Sequence, residues 1–365
     1  MSTSPLGRSD DDTVRTVWHS ATSEIENHYC DVPFESPEKE SPRIVSSALQ
    51  RPALEFDGAR WMQNLPTDLR NRPLNTLTIP GSHNSGTFYL ETELPISADK
   101  SPLFQTLANA LPRSRIRSWA VCQQLTIYHQ LQIGVRYLDF RIARTCGGDP
   151  FRIVHGLWGP SLHCILFQAK RFLDENPYEI VLLDLNHLYR IDTDDAFDEL
   201  IELAFQVLGE QRIYRNASER LPGEVSLEWM AANGFRVILF AERDSERTNR
   251  VLPTRLAIDS PWANTANVRR LFQFLEKRHQ RNEHRRGRFH VTQAILTPKL
   301  KTFVRRGAFG SLEKQLATRC TAEAIQWLQR NNRRLGGFNV VIADFVEKKD
   351  FCREIVALNY RNAGV

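Results

Sequence analysis

Two histidines, an arginine and several carboxylates stand at the ends of short apolar runs in this sequence. His83 and Asn84 follow LNTLTIP (74–80) in PGSHNSG, Asp139 and Arg141 lie in VRYLDFRI (135–142), and His155 closes FRIVHG (151–156). Asp184 and Asn186 fall in EIVLLDLN (179–186), Glu242 ends FRVILFAE (235–242), Gln293 lies in RFHVTQAIL (288–296) and Asp344 in FNVVIADFV (338–346). This set suits the cleavage of a phosphodiester. One neutral imidazole takes the proton of the attacking hydroxyl and a cationic one returns a proton to the leaving alkoxide; an ordinary histidine pKa of about 6.5 fits either task. Arg141 would meet the charge gained by the phosphoryl oxygens with its planar fork of donors, and Asp344 would orient a histidine and favour its cation. The scheme requires no metal.

Such groups act together only if the chain brings the ends of those runs to one place. The seven runs read as strands, and helix-period segments lie between several of them: SLHCILFQAKRFLDEN (161–176), DDAFDELIELAFQVLG (194–209), NVRRLFQFLEKRHQ (267–280) and SLEKQLATRCTAEAIQWLQRN (311–331). Asn267 and Ser311 supply N-cap chemistry, and Asn176-Pro177 a stop. Alternating strands and helices over about 300 residues predict an α/β fold with a parallel sheet. Seven or eight strands predict a closed barrel, whose working groups sit at the C-terminal strand ends. The i, i+2 spacing of Asp139 with Arg141, and of Asp184 with Asn186, sends each pair to one face.

The whole chain has 48 Lys+Arg against 43 Asp+Glu, a net charge of +5, and a 41% hydrophobic fraction ordinary for a globular protein. No run reaches the roughly 18 apolar residues of a membrane span. Residues 1–50 carry nine acids and four bases and are rich in Ser and Pro, so residues 1–55 are expected to form a disordered acidic tail before a basic barrel domain at 56–365. The N-terminus shows no basic and apolar leader, so the expected compartment is the cytoplasm. Cys30, Cys122, Cys146, Cys164, Cys320 and Cys352 form no CxxC pair and read as mostly buried thiols. The sequon at Asn216 reads as chance.

The stretch WMQNLPTDLRNRPLNTLTIPGSHNSGTFY, followed in order by HQLQIGVRYLDFRIAR, IVHGLWG, FLDENPYEIVLLDLNHLY, SPWANT, LTP and NVVIADFVE, resembles the phosphatidylinositol-specific phospholipase C X-domain-containing proteins. The likeness runs from about Trp61 to the C-terminus. It implies a distorted TIM barrel built from the X region alone, similar to the bacterial phosphatidylinositol phospholipases C. It also implies attack by the inositol 2-hydroxyl, giving diacylglycerol and a cyclic inositol phosphate, with membrane inositol phospholipid as the partner and a monomer expected. Position by position, His83 matches the general base, His155 the general acid, Arg141 the phosphate-binding arginine and Asp344 the aspartate that pairs with the base.

Asn84 departs from the pattern. Most relatives carry Asp there, supporting the acid histidine, and Asn keeps geometry without charge, so His155 is expected to be a less persistent acid. Asn84 also resembles a calcium ligand of the calcium-dependent eukaryotic enzymes. Those enzymes, however, have a carboxylate where Arg141 stands, and a guanidinium within about 4 Å would repel Ca²⁺. The expectation is a site without cofactor or metal; a weak calcium site using Asn84 and Asp139 is the disfavoured alternative. A catalytically inactive phosphoinositide-binding module and a metal-dependent glycerophosphodiesterase are the rival functions. Asp139 reads equally as a catalytic group or as the ion-pair partner of Arg141 or Arg136. Asn186, Glu242 and Gln293 are candidates for lining a head-group pocket, whereas His129, His163 and His187 read as structural. The basic segment from Val268 to Arg288 reads as a solvated helix face that could draw the domain to anionic lipid, and no nucleic-acid motif accompanies it.

Overall fold

The computed structural model describes residues 56–99, 111–216, 221–245, 248–280, 287–298 and 310–363. The tail expected over 1–55 lies outside them. Ten strands form one sheet: β1 (Ile79–Ser82), β2 (Tyr137–Arg144), β3 (Phe151–Val154), β4 (Trp158–Ser161), β5 (Val181–Tyr189), β6 (Val237–Ala241), β7 (Val251–Pro253), β8 (Ile258–Asp259), β9 (Phe289–Gln293) and β10 (Val340–Ala343). The order is β7-β6-β5-β2-β1-β10-β9-β8, parallel throughout, with β3 and β4 off that path.

This is the distorted TIM barrel expected, with two corrections. The barrel is not closed by hydrogen bonds among the described residues. Its ends, β7 and β8, follow one another through a single helical turn at Thr254–Ala257, too short to lay them side by side. The run ending at His155 is also not a barrel strand. β3 pairs antiparallel with β2 at Ile142–Arg144, along the edge that β1 leaves uncovered beyond Leu138, and β4 returns beside it. The result is a hairpin standing at the C-terminal end of the sheet.

Strand alternation divides the apolar residues into two layers. Tyr137, Leu182, Ile238, Phe240, Val291, Val340 and Ile342 fill the barrel interior. Leu138, Phe140, Leu183, Leu185, Leu239 and Val341 face the surrounding helices. Those helices begin where cap chemistry allows. Ser161 Oγ accepts from Cys164 N ahead of α3 (Leu162–Glu175), and Thr193 Oγ1 from Ala196 N ahead of α4 (Asp194–Leu208); α1 (Arg113–Ala120) and α2 (Ile127–Gln132) precede them. Asn267 caps α5 (Val268–Gln280) through Arg270 N, and Ser311 caps the turn leading into α6 (Thr318–Asn331) through Lys314 N. The last helix is α7 (Phe351–Ala363).

The floor of the barrel is held by one buried charge cluster. Arg136 is fully buried, pairs with Glu179 at 2.7 Å and donates to four carbonyls: Leu131, Val135, Gly58 and Ala59. Glu179 also accepts from Met62 N and Gln63 N. The Glu179 carboxylate thus takes up Arg136, which removes that arginine as a partner for Asp139.

Candidate active site

The parallel pairing of β1 with β10 sets Ser82 opposite Ala343, and His83 N donates to Ala343 O at 3.1 Å. His83 and Asp344 therefore leave neighbouring strand ends together, and His83 Nδ1 lies 2.7 Å from an Asp344 oxygen. Asp344 is 3% exposed and the His83 side chain 14%, so the imidazole alone has a solvent edge. Burial works against a charge on His83, but the Asp344 charge and hydrogen bond outweigh it and push its pKa up to about 10.

Two left-handed residues turn the chain around this pair. Asn84 has φ 43°, a conformation Asn tolerates better than most, and its N–H donates to Asp139 Oδ2 at 3.0 Å. Phe345 has φ 54° and donates to Cys122 O. Gln123 ties both ends together. Its Nε2 donates to His83 O at 2.9 Å and to Ala343 O at 3.0 Å, while its Oε1 accepts from Val346 N.

His155 reaches the same place from the hairpin. Its N–H donates to Leu157 O across a turn in which Gly156 takes φ 77°, and its Nδ1 is 2.7 Å from Ala120 O, which fixes Nδ1 as a protonated nitrogen. Nε2 then faces Asn84. The Asn84 Nδ2 position lies 3.1 Å from His83 Nε2, 3.4 Å from His155 Nε2 and 3.6 Å from Cys122 Sγ. Asn84 Oδ1, on the other side of the amide, is buried without a partner. The two ends of an amide are told apart by hydrogen bonding. A cationic His83 donates from Nε2 and needs an acceptor, so rotation of the amide by 180° satisfies both His83 and the orphaned oxygen. Asn84 is thus a neutral link between the two histidines.

A bulge supplies the next group. Phe140 pairs with Leu185 and Arg141 with His187, leaving Asn186 as an extra residue on β5. Its Nδ2 donates to Asp139 Oδ1 at 3.1 Å, so both Asp139 oxygens are occupied by amides, Asn84 N and Asn186 Nδ2. No ion pair of Asp139 occurs among the described residues. Arg141 stands beside His187 and Tyr189. His187 is lowered by burial and then by the Arg141 charge, while Tyr189 is raised by burial against the pull of Arg141. The Arg141 Nε is buried without a partner. Below them Asp184 is raised to about 7 by burial and the Asp139 charge, against hydrogen bonds from Tyr137 and Thr254.

His83, Asn84, His155, Asp344, Asp139 and Asn186 therefore join in one hydrogen-bonded group. Arg141 borders it, since His187 feels the charges of Arg141, Asp139, Glu242 and His83. Glu242 accepts from Leu188 N, and Gln293 is held by Ser260 across β8 and β9. Cys122 and Gln123 were invisible as site residues: WAVCQQ follows no strand and carries no periodic signal, and Cys122 read only as a buried thiol. The donors gathered at Asn84 are nitrogen and sulfur, and the nearest carboxylate oxygens are already bonded.

No protein-family model matches the chain. The fold is that of the bacterial phosphatidylinositol-specific phospholipases C. The Listeria monocytogenes enzyme superposes with a TM-score of 0.57 at 18% identity, covering 83% of this chain and 99% of that one. A Staphylococcus aureus structure superposes with a TM-score of 0.58 at 16% identity, covering 83% and 98%. Among curated proteins, mouse PI-PLC X domain-containing protein 2 is 32% identical over 310 residues, 84% of this chain and 89% of its own. Zebrafish PI-PLC X domain-containing protein 3 is 30% identical over 312 residues, 84% and 94%. The chain belongs to the PI-PLC X domain-containing protein family. Among the described residues no helix is long and apolar enough to cross a membrane.

Proposed function

We propose that this protein is a phosphoric diester hydrolase of the phospholipase C type that cleaves inositol phospholipid at a membrane surface without a metal. The observation that carries this reading is the arrangement of His83, backed by Asp344, and His155, backed by Ala120 O, around the single amide of Asn84. In the proposed reaction His83 Nε2 takes the proton of the inositol 2-hydroxyl as its oxygen attacks phosphorus. The bond to the diacylglycerol oxygen breaks, and His155 Nε2, protonated in the complex, returns a proton to it. The products are diacylglycerol and a cyclic inositol phosphate.

Arg141, with a buried N–H that has no partner, is suited to the phosphoryl oxygens, and Asp139 holds the Asn84 loop in place. Asn186 links the bulge to Asp139. Glu242 and Gln293 remain proposed head-group contacts at the rim. In the described part of the basic run Arg269 and Arg270 are exposed at the start of α5 and Lys277 near its end, while Arg278 pairs with Asp259. Arg281, Arg285 and Arg286 lie outside the described residues.

The test is release of diacylglycerol from phosphatidylinositol vesicles in a chelator, comparing the protein with His83→Ala and His155→Ala. The proposal expects release by the unaltered protein and a loss of about 10²–10⁴-fold in each variant. Head-group binding without release would make the protein a binding module instead.

A further inference from the structure

We infer that Asp99 is a positioning residue for His155: its carboxylate clamps the turn that presents the ring and supplies the negative charge that Asn84 does not. The inference rests on the acid role proposed for His155. A histidine that returns a proton must first hold one, and a nearby negative charge keeps an imidazole cationic. Three neighbours of the ring bring no such charge. Asn84 is an amide, Ala120 O is a carbonyl, and burial keeps Cys122, whose Sγ lies 3.8 Å from His155 Nδ1, a neutral thiol. His83 lies beyond the amide with its own counter-charge, Asp344.

The segment at residues 91–99 runs along the hairpin that carries His155. Glu91 N donates to Trp158 O and Ser97 N to Gly156 O, and the segment leads to Asp99, whose two oxygens accept from Gly156 N at 2.9 and 3.1 Å. Ser97 Oγ also donates to Asp99 Oδ1 and holds the carboxylate in that orientation. A peptide N–H points to the same side as the Cα before it. An oxygen 2.9 Å from Gly156 N therefore stands about 3.5 Å from His155 Cα and within about 7 Å of the imidazole. The same charge reaches Tyr189, beside Arg141, and helps to raise it. Of the other charges around the hairpin, Arg141 and Arg117, which lies over the Tyr89 ring, oppose a further cation, while Glu91 is engaged by Arg152 and Tyr89. At about 7 Å and an effective dielectric constant of about 20–40, one charge moves a histidine by about one to two pH units.

The experiment is an NMR titration of the histidine rings in the full chain, with His155 assigned by His155→Gln. Asp99→Asn keeps an acceptor for Gly156 N and removes only the charge. The His155 midpoint should fall by about one unit while that of His83 stays in place, and adding Asn84→Asp to the same chain should bring His155 back. In vesicle cleavage kcat/KM stops rising with pH where His155 gives up its proton. Asp99→Asn should therefore level off about one unit lower, at about a tenth of the unaltered value. Should Asp99→Asn lack native near-ultraviolet circular dichroism, the unaltered protein answers alone: its His155 should titrate above the ordinary value of about 6.5 in spite of partial burial, and a lower midpoint there would overturn the inference. In a folded Asp99→Asn, an unmoved His155 midpoint, an equal fall at His83 or no recovery with Asn84→Asp would overturn it. Absence of cleavage by every form would overturn the proposed reaction, and the titration would still decide whether Asp99 holds the His155 proton.

Discussion

Asp344→Asn removes one charge from one hydrogen bond, and its consequences can be worked out from the pair it breaks. The rise of His83 from 6.5 to about 10, at about 1.4 kcal/mol per pH unit, measures a coupling of about 3–5 kcal/mol that favours the imidazolium in the folded protein. The sign follows from proton binding. The folded state holds the His83 proton more tightly than the unfolded chain does, so this stabilisation is fully present below pH 6.5 and is lost as pH rises towards 10. The stability gap between the unaltered protein and Asp344→Asn should therefore be widest below pH 6.5 and narrow by about 3–5 kcal/mol by pH 10. With the charge gone, burial lowers His83 against only the smaller contribution of Cys122, and its midpoint should fall well below 10. Activity has a matching signature: kcat/KM reports the free protein, in which about one His83 in a thousand is ready to accept a proton at pH 7. It should rise with pH above 7 in the unaltered protein over the range in which His155 still holds the proton it delivers. In Asp344→Asn it should be flat over that range. The assay is an NMR titration of the His83 ring, assigned with His83→Gln, beside vesicle cleavage across the same pH range. An unmoved His83 midpoint in Asp344→Asn would refute the reasoning.

Asn84→Asp places a charge between the two histidines, so the pH at which cleavage falls off on the alkaline side should move upward, read from the full pH profile. Gln123→Leu strips the clamp across β1 and β10; calorimetry should record a loss of about 2–4 kcal/mol from the unsatisfied His83, Ala343 and Val346 groups, with a lowered His83 midpoint by NMR. Glu179→Ala leaves the Arg136 guanidinium buried without its counter-charge. A loss of about 3–5 kcal/mol in denaturant unfolding is expected, with no shift of the His83 titration, because the pair sits at the opposite end of the barrel.

The sequence exposed the parallel strands because runs such as EIVLLDLN, buried on both faces, carry a continuous apolar signal that ends abruptly in polar residues. Those ends gave His83 and Asp344, which pairing of β1 with β10 makes neighbours. FRIVHG carries the same local signal, and only its pairing with the upper part of β2 makes it a hairpin. Barrel closure was misjudged because β7 and β8 are three and two residues long, below any periodic signal. The bulge at Asn186 is a matter of register, which one strand cannot reveal, and it alone directs that amide to Asp139. Cys122 and Gln123 arrive through a loop whose backbone is set by contacts with Phe345 and Val346, more than 200 residues away.

The most direct test of the central claim is phosphorus NMR of the full chain with phosphatidylinositol micelles in a calcium chelator, beside His83→Ala. Appearance of a cyclic inositol phosphate resonance with the unaltered protein alone is the predicted result. Its absence from both spectra, or an equal rate in His83→Ala, would contradict proton transfer through the His83 and Asp344 pair.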